Sequence, residues 1–280
     1  MEANAGRFTS EAVIVTGAAR GIGAAIATRF SREGARVLLV DVDANVEGTA
    51  RELGQTALVV DLRDRAAPGA VVKAALDAFQ RIDVLINNAG VTGGGKRLSE
   101  SDDDLIERIL DINLAAVLRL TREVLKHLPR PGGRIVNIAS VFGLTGYPGT
   151  TSYAASKAGI AQITRQLAGE LGPEGVRVNA VAPGLIDTAM TVPHRNNPLY
   201  VRLMQEGTPM ERIGSPEDVA GAGAVPPARD ARFVAGARPP GGARRPAPEA
   251  KPRMRINIWF LWTKERAPIV AIKEVVTISS

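Results

Sequence analysis

Cysteine is absent from the 280-residue sequence, and histidine occurs only twice, as His127 and His194. Disulfide bonds, thiolate metal sites and cysteine nucleophiles are therefore excluded, and a multi-histidine metal site is disfavoured. The sequence also lacks an apolar run of about 18 residues that could cross a membrane, and residues 1–10 show no basic segment followed by an apolar one. We therefore expect a cytoplasmic protein that binds neither a metal nor a membrane.

Basic charge is concentrated in one part of the chain. The formal net charge is +6, but residues 229–280 contain 11 basic and 4 acidic residues, whereas the first 228 residues contain 24 and 25. A basic tail of this kind is more often a solubility feature or a disordered segment than a specific reader of nucleic acid. We therefore predict no specific nucleic-acid partner.

The first 180 residues alternate short apolar runs with longer helical patterns. Consecutive apolar positions rich in Val and Ile are typical of parallel strands buried on both faces. The alternation predicts an α/β protein with a single doubly wound Rossmann domain, whose loops at the carboxyl edge bind ligands. The predicted strands are Ala12–Thr16, Arg36–Val40, Ala57–Val60, Val84–Ile86, Arg134–Ile138 and Arg177–Val181. The predicted helices are Ile22–Arg32, Ala44–Leu53, Ala66–Gln80, Asp102–Leu128 and Ser152–Leu171.

A glycine-rich turn follows the first predicted strand, with Gly17, Gly21 and Gly23 in the spacing G-x-x-x-G-x-G. Glycine permits close approach of the backbone to a ligand, and the N-terminus of the next helix offers unpaired N–H groups to a pyrophosphate. Asp41 follows the second strand, 18 residues beyond Gly23, where a carboxylate would bind adenosine ribose hydroxyls and repel a 2′-phosphate. This favours NAD over NADP, whereas Arg20 in the turn would tolerate an additional phosphate.

Three polar side chains form a candidate reaction centre. Tyr153 and Lys157 are four residues apart on a helical pattern and so share a helix face. A nearby ammonium would lower the pKa of a phenol, and Ser140 at the end of the fifth strand would donate to a carbonyl oxygen. A Y-x-x-x-K pair alone is common by chance, so its meaning depends on the residues around it.

These features occur together with other motifs, in one order and at fixed spacings. On that basis the sequence resembles the short-chain dehydrogenase/reductase family, in the branch with TGxxxGxG and YxxxK motifs. The resemblance covers about residues 8–224. The motifs that carry it are Thr16–Gly23, Asp61, Asn87–Gly90, Asn113, Ser140, Tyr153–Lys157 and Pro183–Thr188.

The resemblance implies that NAD, and less readily NADP, binds along the carboxyl edge of the sheet. Asp61 would contact the adenine, and Ile186 and Thr188 would bind the carboxamide of the nicotinamide. The implied cofactor-binding residues are Gly17, Arg20, Gly21, Ile22, Gly23, Asp41, Asp61, Leu62, Asn88, Ala89, Gly90, Tyr153, Lys157, Pro183, Gly184, Ile186 and Thr188.

The resemblance also implies a catalytic set. Tyr153 would be the general acid/base, and Lys157 would lower its pKa and bind the nicotinamide ribose. Ser140 would orient the substrate oxygen. Asn113 would hold a water that relays protons to Lys157, whereas the alternative is an asparagine that bonds locally within its helix.

Substrate selection in this family usually lies after the active strand and after Thr188. The stretch Ala189–Met210 is expected to form a mobile lid, in which His194 and Arg195 meet a hydroxylated or anionic substrate or face water. Apolar residues of this stretch, among them Leu199, Tyr200 and Met204, would line the site. The expected substrate residues are Ser140, Val141, Phe142, Tyr147 and Tyr153.

The expected activity interconverts a secondary alcohol, such as a sugar, a polyol or another hydroxy compound, and its ketone by hydride transfer. The first alternative is an NADPH-dependent reductase of 3-oxoacyl thioesters on an acyl carrier protein. Glu174 disfavours it, because close relatives that dock an acidic carrier tend to have a basic residue there. The second alternative is a catalytically idle regulator that binds a dinucleotide.

The resemblance is interrupted near the C-terminus. Val225-Pro-Pro would break the expected helix, and Arg238–Gly242 replaces the expected apolar strand. We therefore predict a catalytic domain over residues 1–246 and an atypical basic tail over residues 247–280, either disordered or read from a shifted frame. Ile256–Trp262 is a candidate late strand or partner surface. The family implies a homotetramer or dimer formed through this region, which the altered sequence disfavours.

Overall fold

The computed structural model describes residues 6–196, 198, 200–202, 212–224 and 258–260. Within these residues, parallel strands form one sheet in the order β3-β2-β1-β4-β5-β6-β7. The predicted α/β Rossmann fold is confirmed, and each predicted strand is present. The strands are β1 (Ala12–Thr16), β2 (Arg36–Asp41), β3 (Thr56–Val59), β4 (Val84–Asn87), β5 (Arg134–Ile138), β6 (Arg177–Ala182) and the short β7 (Ile258–Phe260).

Helices connect the strands and cover both faces of the sheet. They are α1 (Gly21–Arg32), α2 (Asn45–Leu53), α3 (Ala67–Phe79), α4 (Asp103–Leu110), α5 (Ala116–Val124), α6 (Thr151–Leu171), α7 (Val192–Arg195) and α8 (Pro216–Ala224). The prediction of one helix over Asp102–Leu128 was wrong in one respect. A π-helical segment, Asp111–Ala115, separates α4 from α5, and α5 ends at Val124. Apolar periodicity does not reveal one inserted residue.

The strands are apolar on consecutive positions because neighbouring residues enter two different cores. In β1, Ala12 and Ile14 belong to the core beneath α3, α5 and α6, whereas Val13 and Val15 belong to the core beneath α1, α2 and α8. β4 follows the same rule, with Leu85 on the first face and Ile86 on the second. Both faces of the sheet are therefore covered, as parallel sheets require.

The strand order reverses between β1 and β4. β1 pairs with β2 on one side and with β4 on the other, so the connections that leave these two edges diverge at the carboxyl ends of the strands. Such a switch point opens a crevice in which doubly wound folds bind ligands. The glycine-rich turn after β1 and the segment after β4 border this crevice.

The C-terminal part of the sheet is completed by α8 and β7. α8 contributes Val219 and Ala220 to the second core and lies against α1. β7 pairs in parallel with β6, from Ala180 opposite Ile258 to Ala182 opposite Phe260. β7 therefore falls within the candidate strand Ile256–Trp262. Residues 225–257, with Val225-Pro-Pro and Arg238–Gly242, lie outside the described residues, and the division at residue 246 stays a prediction.

Candidate active site

The turn after β1 has the backbone shape that its glycines permit. Gly17 and Gly21 have φ angles of +66° and +60°, a region that side chains disfavour. A Cβ atom on Gly23 would lie 2.0 Å from the Gly17 carbonyl oxygen. The residue that caps α1, Arg20, makes no side-chain hydrogen bond to the helix, and the first turn contains no acidic residue. The turn is therefore a cradle whose free N–H groups suit a diphosphate.

Asn88 fastens this turn to the end of β4. Its side-chain amide donates to the carbonyl oxygens of Thr16 and Gly17, at 2.9 and 3.0 Å. The Thr16 hydroxyl in turn accepts from the backbone N–H groups of Asn88 and Ala89, at 3.0 and 3.1 Å. The two edges of the crevice are thereby fixed against each other.

Asp41 lies at the end of β2 with both carboxylate oxygens facing backbone donors. It accepts from Ala19 at 2.9 Å, which ties β2 to the glycine-rich turn, and from Asp43 at 3.0 Å. The Arg20 guanidinium is exposed and donates to Asp43 at 3.0 Å. A carboxylate therefore stands beside the cradle, and the guanidinium nearest to it is already paired.

Asp61 follows β3 and is bound by Arg63. The guanidinium donates to both carboxylate oxygens, and the backbone N–H of Arg63 donates at 2.9 Å. These hydrogen bonds lower the pKa of the Asp61 carboxyl. Leu62 packs beneath it against the first core.

Ser140, Tyr153 and Lys157 meet at the carboxyl end of β5. The Tyr153 and Ser140 side chains line the same cavity, and Ser140 Oγ accepts from the backbone N–H of Phe142 at 3.2 Å. Lys157 lies one helical turn after Tyr153. Its Nζ is 5.8 Å from the centre of the Tyr153 ring and donates to the Ile138 carbonyl oxygen at 2.8 Å.

Burial shifts the proton affinities of two of these groups. It raises the pKa of Tyr153, and the neighbouring Ser140 hydroxyl offsets part of that rise. It lowers the pKa of Lys157 to about 8. The chain on its own therefore does not provide the lowered phenol pKa that an ammonium four residues away was expected to produce. Desolvation of the phenolate is the largest cause of the shift, and the Lys157 ammonium is directed to the Ile138 carbonyl oxygen.

Asn113 lies in the π-helical segment, 1% exposed, and its side chain makes long-range bonds. The amide accepts from the Val91 N–H at 2.8 Å and donates to the Val91 carbonyl at 2.9 Å. It also donates to Ser156 Oγ at 3.1 Å, and that hydroxyl donates to the Tyr153 carbonyl oxygen at 2.7 Å. Asn113 therefore links the segment after β4 to the helix that carries Tyr153.

The segment after β6 approaches the glycine-rich turn. The Thr188 methyl group would lie 3.4 Å from a Cβ atom on Gly21. Ile186 is buried against the second core, and its carbonyl oxygen accepts from the Thr191 hydroxyl at 2.6 Å. The Pro183 carbonyl accepts from the Val141 N–H at 3.1 Å. The residues proposed for the nicotinamide end thus lie between the turn and the reaction centre.

A cavity of about 290 Å³ opens beside Ser140 and Tyr153. Phe142 and Tyr147 are stacked with their ring centres 5.3 Å apart, and Tyr200 meets Tyr147 edge-on at 5.3 Å. Val141 does not line the cavity and packs behind it with Leu185 and Tyr200. The lining residues are Thr92, Gly95, Ser140, Phe142, Tyr147, Pro148, Thr150, Tyr153, Gly184, Leu185, Met190, Thr191, Pro193, His194 and Tyr200.

Comparisons with known proteins agree with this geometry. The family model described as short chain dehydrogenase matches residues 11–198. The chain belongs to the short-chain dehydrogenase family. It is therefore an oxidoreductase of the kind that acts on CH–OH groups.

Several members of the family are similar over most of their length. Oxidoreductase UcpA of Escherichia coli K12 is 40% identical over 76% of this chain and 86% of its own. The cis-4-hydroxycyclohexanecarboxylate dehydrogenase of Sinomonas cyclohexanicum is 38% identical over 82% and 94%. The 3-oxoacyl-[acyl-carrier-protein] reductase FabG of Thermotoga maritima is 37% identical over 76% and 89%.

A solved short-chain dehydrogenase shares the fold. The carveol dehydrogenase of Mycobacterium avium, crystallised in complex with NAD, superposes with a TM-score of 0.75 at 28% identity, over 82% of this chain and 95% of that one. Within the described ranges, no helix of this short-chain dehydrogenase is long and apolar enough to span a membrane. The same ranges contain no group of three or more side chains suited to a metal ion.

Parts of this dehydrogenase's site were not found from the sequence. Thr92 and Gly95 line the cavity, and the glycines that follow the fourth strand were the signal that could have revealed this segment. Ser156 was also missed, because a serine inside a helix has no signal of its own. Of the expected lid, Leu199 and residues 203–210, including Met204, lie outside the described residues.

Proposed function

We propose that this short-chain dehydrogenase is an NAD(H)-dependent oxidoreductase that interconverts a secondary alcohol and a ketone. The observation that carries the proposal is that Ser140 and Tyr153 together line the wall of the cavity, with buried Lys157 one helical turn after Tyr153 on α6. A dinucleotide-binding protein without catalytic activity would need the cradle but not this arrangement.

The residues along the crevice fit a nicotinamide dinucleotide. The free N–H groups at the start of α1 would bind the diphosphate, and Asp41 would accept hydrogen bonds from the adenosine ribose. Gly90 leaves space beside Lys157, since a Cβ atom there would lie 3.5 Å from Nζ. Ile186 and Thr188 would border the nicotinamide, which when bound supplies the acceptor for the hydride.

The side chains of the protein would manage the proton and the orientation. During oxidation Tyr153, as the phenolate, would accept the hydroxyl proton of the substrate, and during reduction it would return that proton. Ser140 would donate to the substrate oxygen and place it beside Tyr153. Because burial raises the pKa of Tyr153, the phenolate depends on positive charge nearby, which Lys157 provides when its ammonium turns toward the site.

Asp41 supports the preference for NAD. Its carboxylate would face the adenosine ribose and would repel the 2′-phosphate of NADP, because both groups are negatively charged. Arg20, which would otherwise attract that phosphate, is engaged by Asp43. The solved carveol dehydrogenase, with its bound NAD, also supports this preference.

The thioester reductase remains the second candidate, because a FabG reductase is similar at 37% identity. Glu174 counts less strongly against it than the sequence suggests, because Arg130 forms an ion pair with its carboxylate. The cavity favours the alcohol dehydrogenase, since aromatic side chains enclose it and would restrict a substrate to a compact ring or chain. Oxidation of 3-hydroxyacyl thioesters in place of free alcohols would favour the reductase.

Cofactor binding is the first experiment. Because a ligand of the native state raises the melting temperature by mass action, NADH should raise it by several degrees and NADPH by much less at equal concentration. Fluorescence titration of the reduced nicotinamide measures both affinities directly. Equal affinity for both cofactors would contradict the assignment of Asp41.

Catalysis is tested with Tyr153→Phe on a panel of secondary alcohols. Loss of the phenol should reduce kcat at least about 100-fold, because general acid/base catalysis contributes that much. Unchanged NADH binding by the variant would show that the loss is chemical and not structural. Alcohol oxidation that survives in Tyr153→Phe would contradict the assigned role, and no oxidation by the wild type with tight NADH binding would favour the idle regulator.

A further inference from the structure

His194 lines the cavity and is separate from the reaction centre. Its ring centre lies 5.3 Å from that of Tyr200, with an interplanar angle of 33°. Its Cε1 would lie 3.5 Å from a Cβ atom on Gly95, so the imidazole rests against the segment after β4. Within the part of the chain that the structure describes, neither imidazole nitrogen has a hydrogen-bond partner. The ring is therefore placed by packing, and its polar atoms are free to meet a ligand.

The charges around His194 favour an anionic ligand. The lining residues that the structure describes include Tyr147, Tyr153 and Tyr200 but no carboxylate, lysine or arginine. The neighbouring Arg195 is paired with Asp187 at 2.7 Å, so that pair adds no net charge. Lys96, which follows Gly95, is exposed. An anion in the cavity would thus meet one cationic side chain, the imidazolium, and no described carboxylate would repel it.

Tyr200 lies against the imidazole of His194. A cation within about 6 Å of the centre of a tyrosine ring is attracted by the ring electrons, and the centroid distance of 5.3 Å is inside that limit. A hydrogen bond from an imidazolium to a carboxylate is roughly twice as strong as a neutral one. An imidazolium in this position would therefore bind a carboxylate more strongly than a neutral ring would.

The rest of the cavity wall is suited to an apolar ring. Phe142 and Tyr147 present a stacked pair with an interplanar angle of 26°, and Tyr200 closes its edge. Leu185 and Met190 complete an apolar lining between this wall and the reaction centre. A saturated ring would pack on these aromatic faces, where a hydroxyl group would find no partner. The lining also contains the hydroxyl groups of Thr92, Thr150 and Thr191, which could bind one polar group of a substrate.

Resting on the proposed function, we infer that the substrate is a cyclic secondary alcohol or ketone that also carries a carboxylate, and that His194 binds this carboxylate. The carbinol carbon would lie at Ser140 and Tyr153, and the ring would lie against the aromatic wall. His194 is in this view a specificity-determining residue that takes no part in proton transfer from the carbinol.

The test uses a probe that cannot react. Cyclohexanecarboxylate has the ring and the anion but no hydroxyl group, and cyclohexanecarboxamide is its neutral counterpart. Calorimetric titration of the full-length protein is done with and without NADH. Near pH 6 the carboxylate should bind more tightly than the carboxamide. This preference for the carboxylate should decline toward pH 8, where imidazole is neutral. Titration in two buffers of different ionisation enthalpy should show proton uptake with the carboxylate alone.

Two variants separate His194 from other causes. His194→Gln should weaken carboxylate binding about tenfold or more and remove the proton uptake, while carboxamide binding stays within about twofold. His127→Gln is the matched control, because His127 is exposed on the surface and is the only other histidine of the sequence. It should leave both probes and the proton uptake unchanged. Retained carboxamide binding by His194→Gln also shows that this variant is folded.

Several results would overturn the inference. They are binding of neither probe, preference for the carboxamide, and carboxylate binding that is the same in His194→Gln and the wild type. In each case the proposed function is tested separately, and it would stand as long as the wild type oxidises a secondary alcohol with NAD. Failure of the proposed function has a different signature, in which the carboxylate binds with proton uptake but cis-4-hydroxycyclohexanecarboxylate and cyclohexanol are not oxidised.

Discussion

Lys157 is 5% exposed, and its burial lowers the pKa of its ammonium group to about 8. In the unfolded chain a lysine keeps its ordinary pKa, 10.5, so the unfolded state binds the proton more tightly. Below pH 8 the folded protein therefore bears the full cost of a buried charge, and its stability rises as the pH increases from 8 to 10.5. Lys157, which we propose to serve catalysis, is therefore unfavourable for folding.

Lys157→Met should accordingly stabilise the fold while it removes activity. We expect the free energy of unfolding at pH 7 to rise by roughly 2 kcal/mol, and the gain to vanish above about pH 10.5. Urea unfolding at pH 7 and pH 10 measures it. Lys73→Met is the control, because Lys73 is exposed and should change stability by less than about 0.5 kcal/mol. A loss of stability in Lys157→Met at pH 7 would contradict this account.

The placement of a single residue could be predicted where it depends only on spacing along the sequence. The placement of Tyr153 and Lys157 on one helix face follows from their spacing. The raised pKa of Tyr153 does not, because it depends on how much solvent the surrounding fold removes. The same holds for Asn113, whose amide bonds to Val91 and Ser156 arise from segments far apart in sequence. Its role in holding a water stays a prediction.

At the scale of elements, the end of α1 is tied to the N-terminal segment by a buried carboxylate. Glu33 is completely buried and binds the guanidinium groups of Arg7, at 2.5 and 2.7 Å, and of Arg29. Burial raises the pKa of Glu33, but the hydrogen bonds from both arginines outweigh it, and the pKa is lowered overall. The carboxylate therefore contributes stability above its unfolded pKa of 4.5, and this contribution is lost as the pH falls through the lower folded pKa.

Glu33→Gln tests this contact between elements. Loss of the charge leaves two arginines without their anion, so the free energy of unfolding at pH 7 should fall by about 2 kcal/mol. The difference from the wild type should begin to shrink as the pH falls below 4.5, and it should disappear only below the lower folded pKa, where Glu33 is protonated in both states. Thermal unfolding between pH 3 and pH 7 measures it. A difference that is constant over this range would show that packing, and not charge, sets the stability.

Elements were predictable where one local rule determines them. The turn between β1 and α1 follows from its glycines, and each of the strands β1–β6 follows from a run of consecutive apolar residues. The interruption between α4 and α5 could not be predicted, because a π-helical turn changes the register by one residue without any change in composition. The approach of Thr92–Gly95 to the cavity depends likewise on the packing of the loop, which has no periodic signal.

At the scale of the whole molecule, the sheet separates two cores that lie on opposite faces. Leu85→Ala and Ile86→Ala affect neighbouring residues of β4, yet each should reduce the free energy of unfolding by about 2–5 kcal/mol. Both side chains are fully buried, one in each core. Unfolding in guanidinium measures the two variants, and Val59→Ala is the control. The Val59 side chain is 41% exposed, so this substitution should reduce the free energy of unfolding by less than about 1 kcal/mol. A large cost for only one β4 variant would contradict the two-core description.

The whole chain was predictable only as far as its family pattern extends. Composition and charge located the boundary of that pattern, and α8 ends at Ala224, directly before Val225-Pro-Pro. That β7 pairs with β6 could not be derived from the apolar run Ile256–Trp262, because a strand at the edge of a sheet is selected by tertiary contacts and not by its own propensity. The oligomeric state and the meaning of residues 247–280 stay predictions.

The two halves of the site are attached to the sheet in different ways. The backbone of the glycine-rich turn is held by two side chains. The Asn88 amide, after β4, donates to its carbonyl oxygens, and the Asp41 carboxylate, at the end of β2, accepts from the N–H of Ala19 in this turn. The cavity wall is made of side chains on the segments around Phe142, Tyr147 and Tyr200, which contact one another through their rings. Natural selection or directed evolution can therefore exchange the wall residues and recruit the same redox machinery for new molecules, at little cost to the fold.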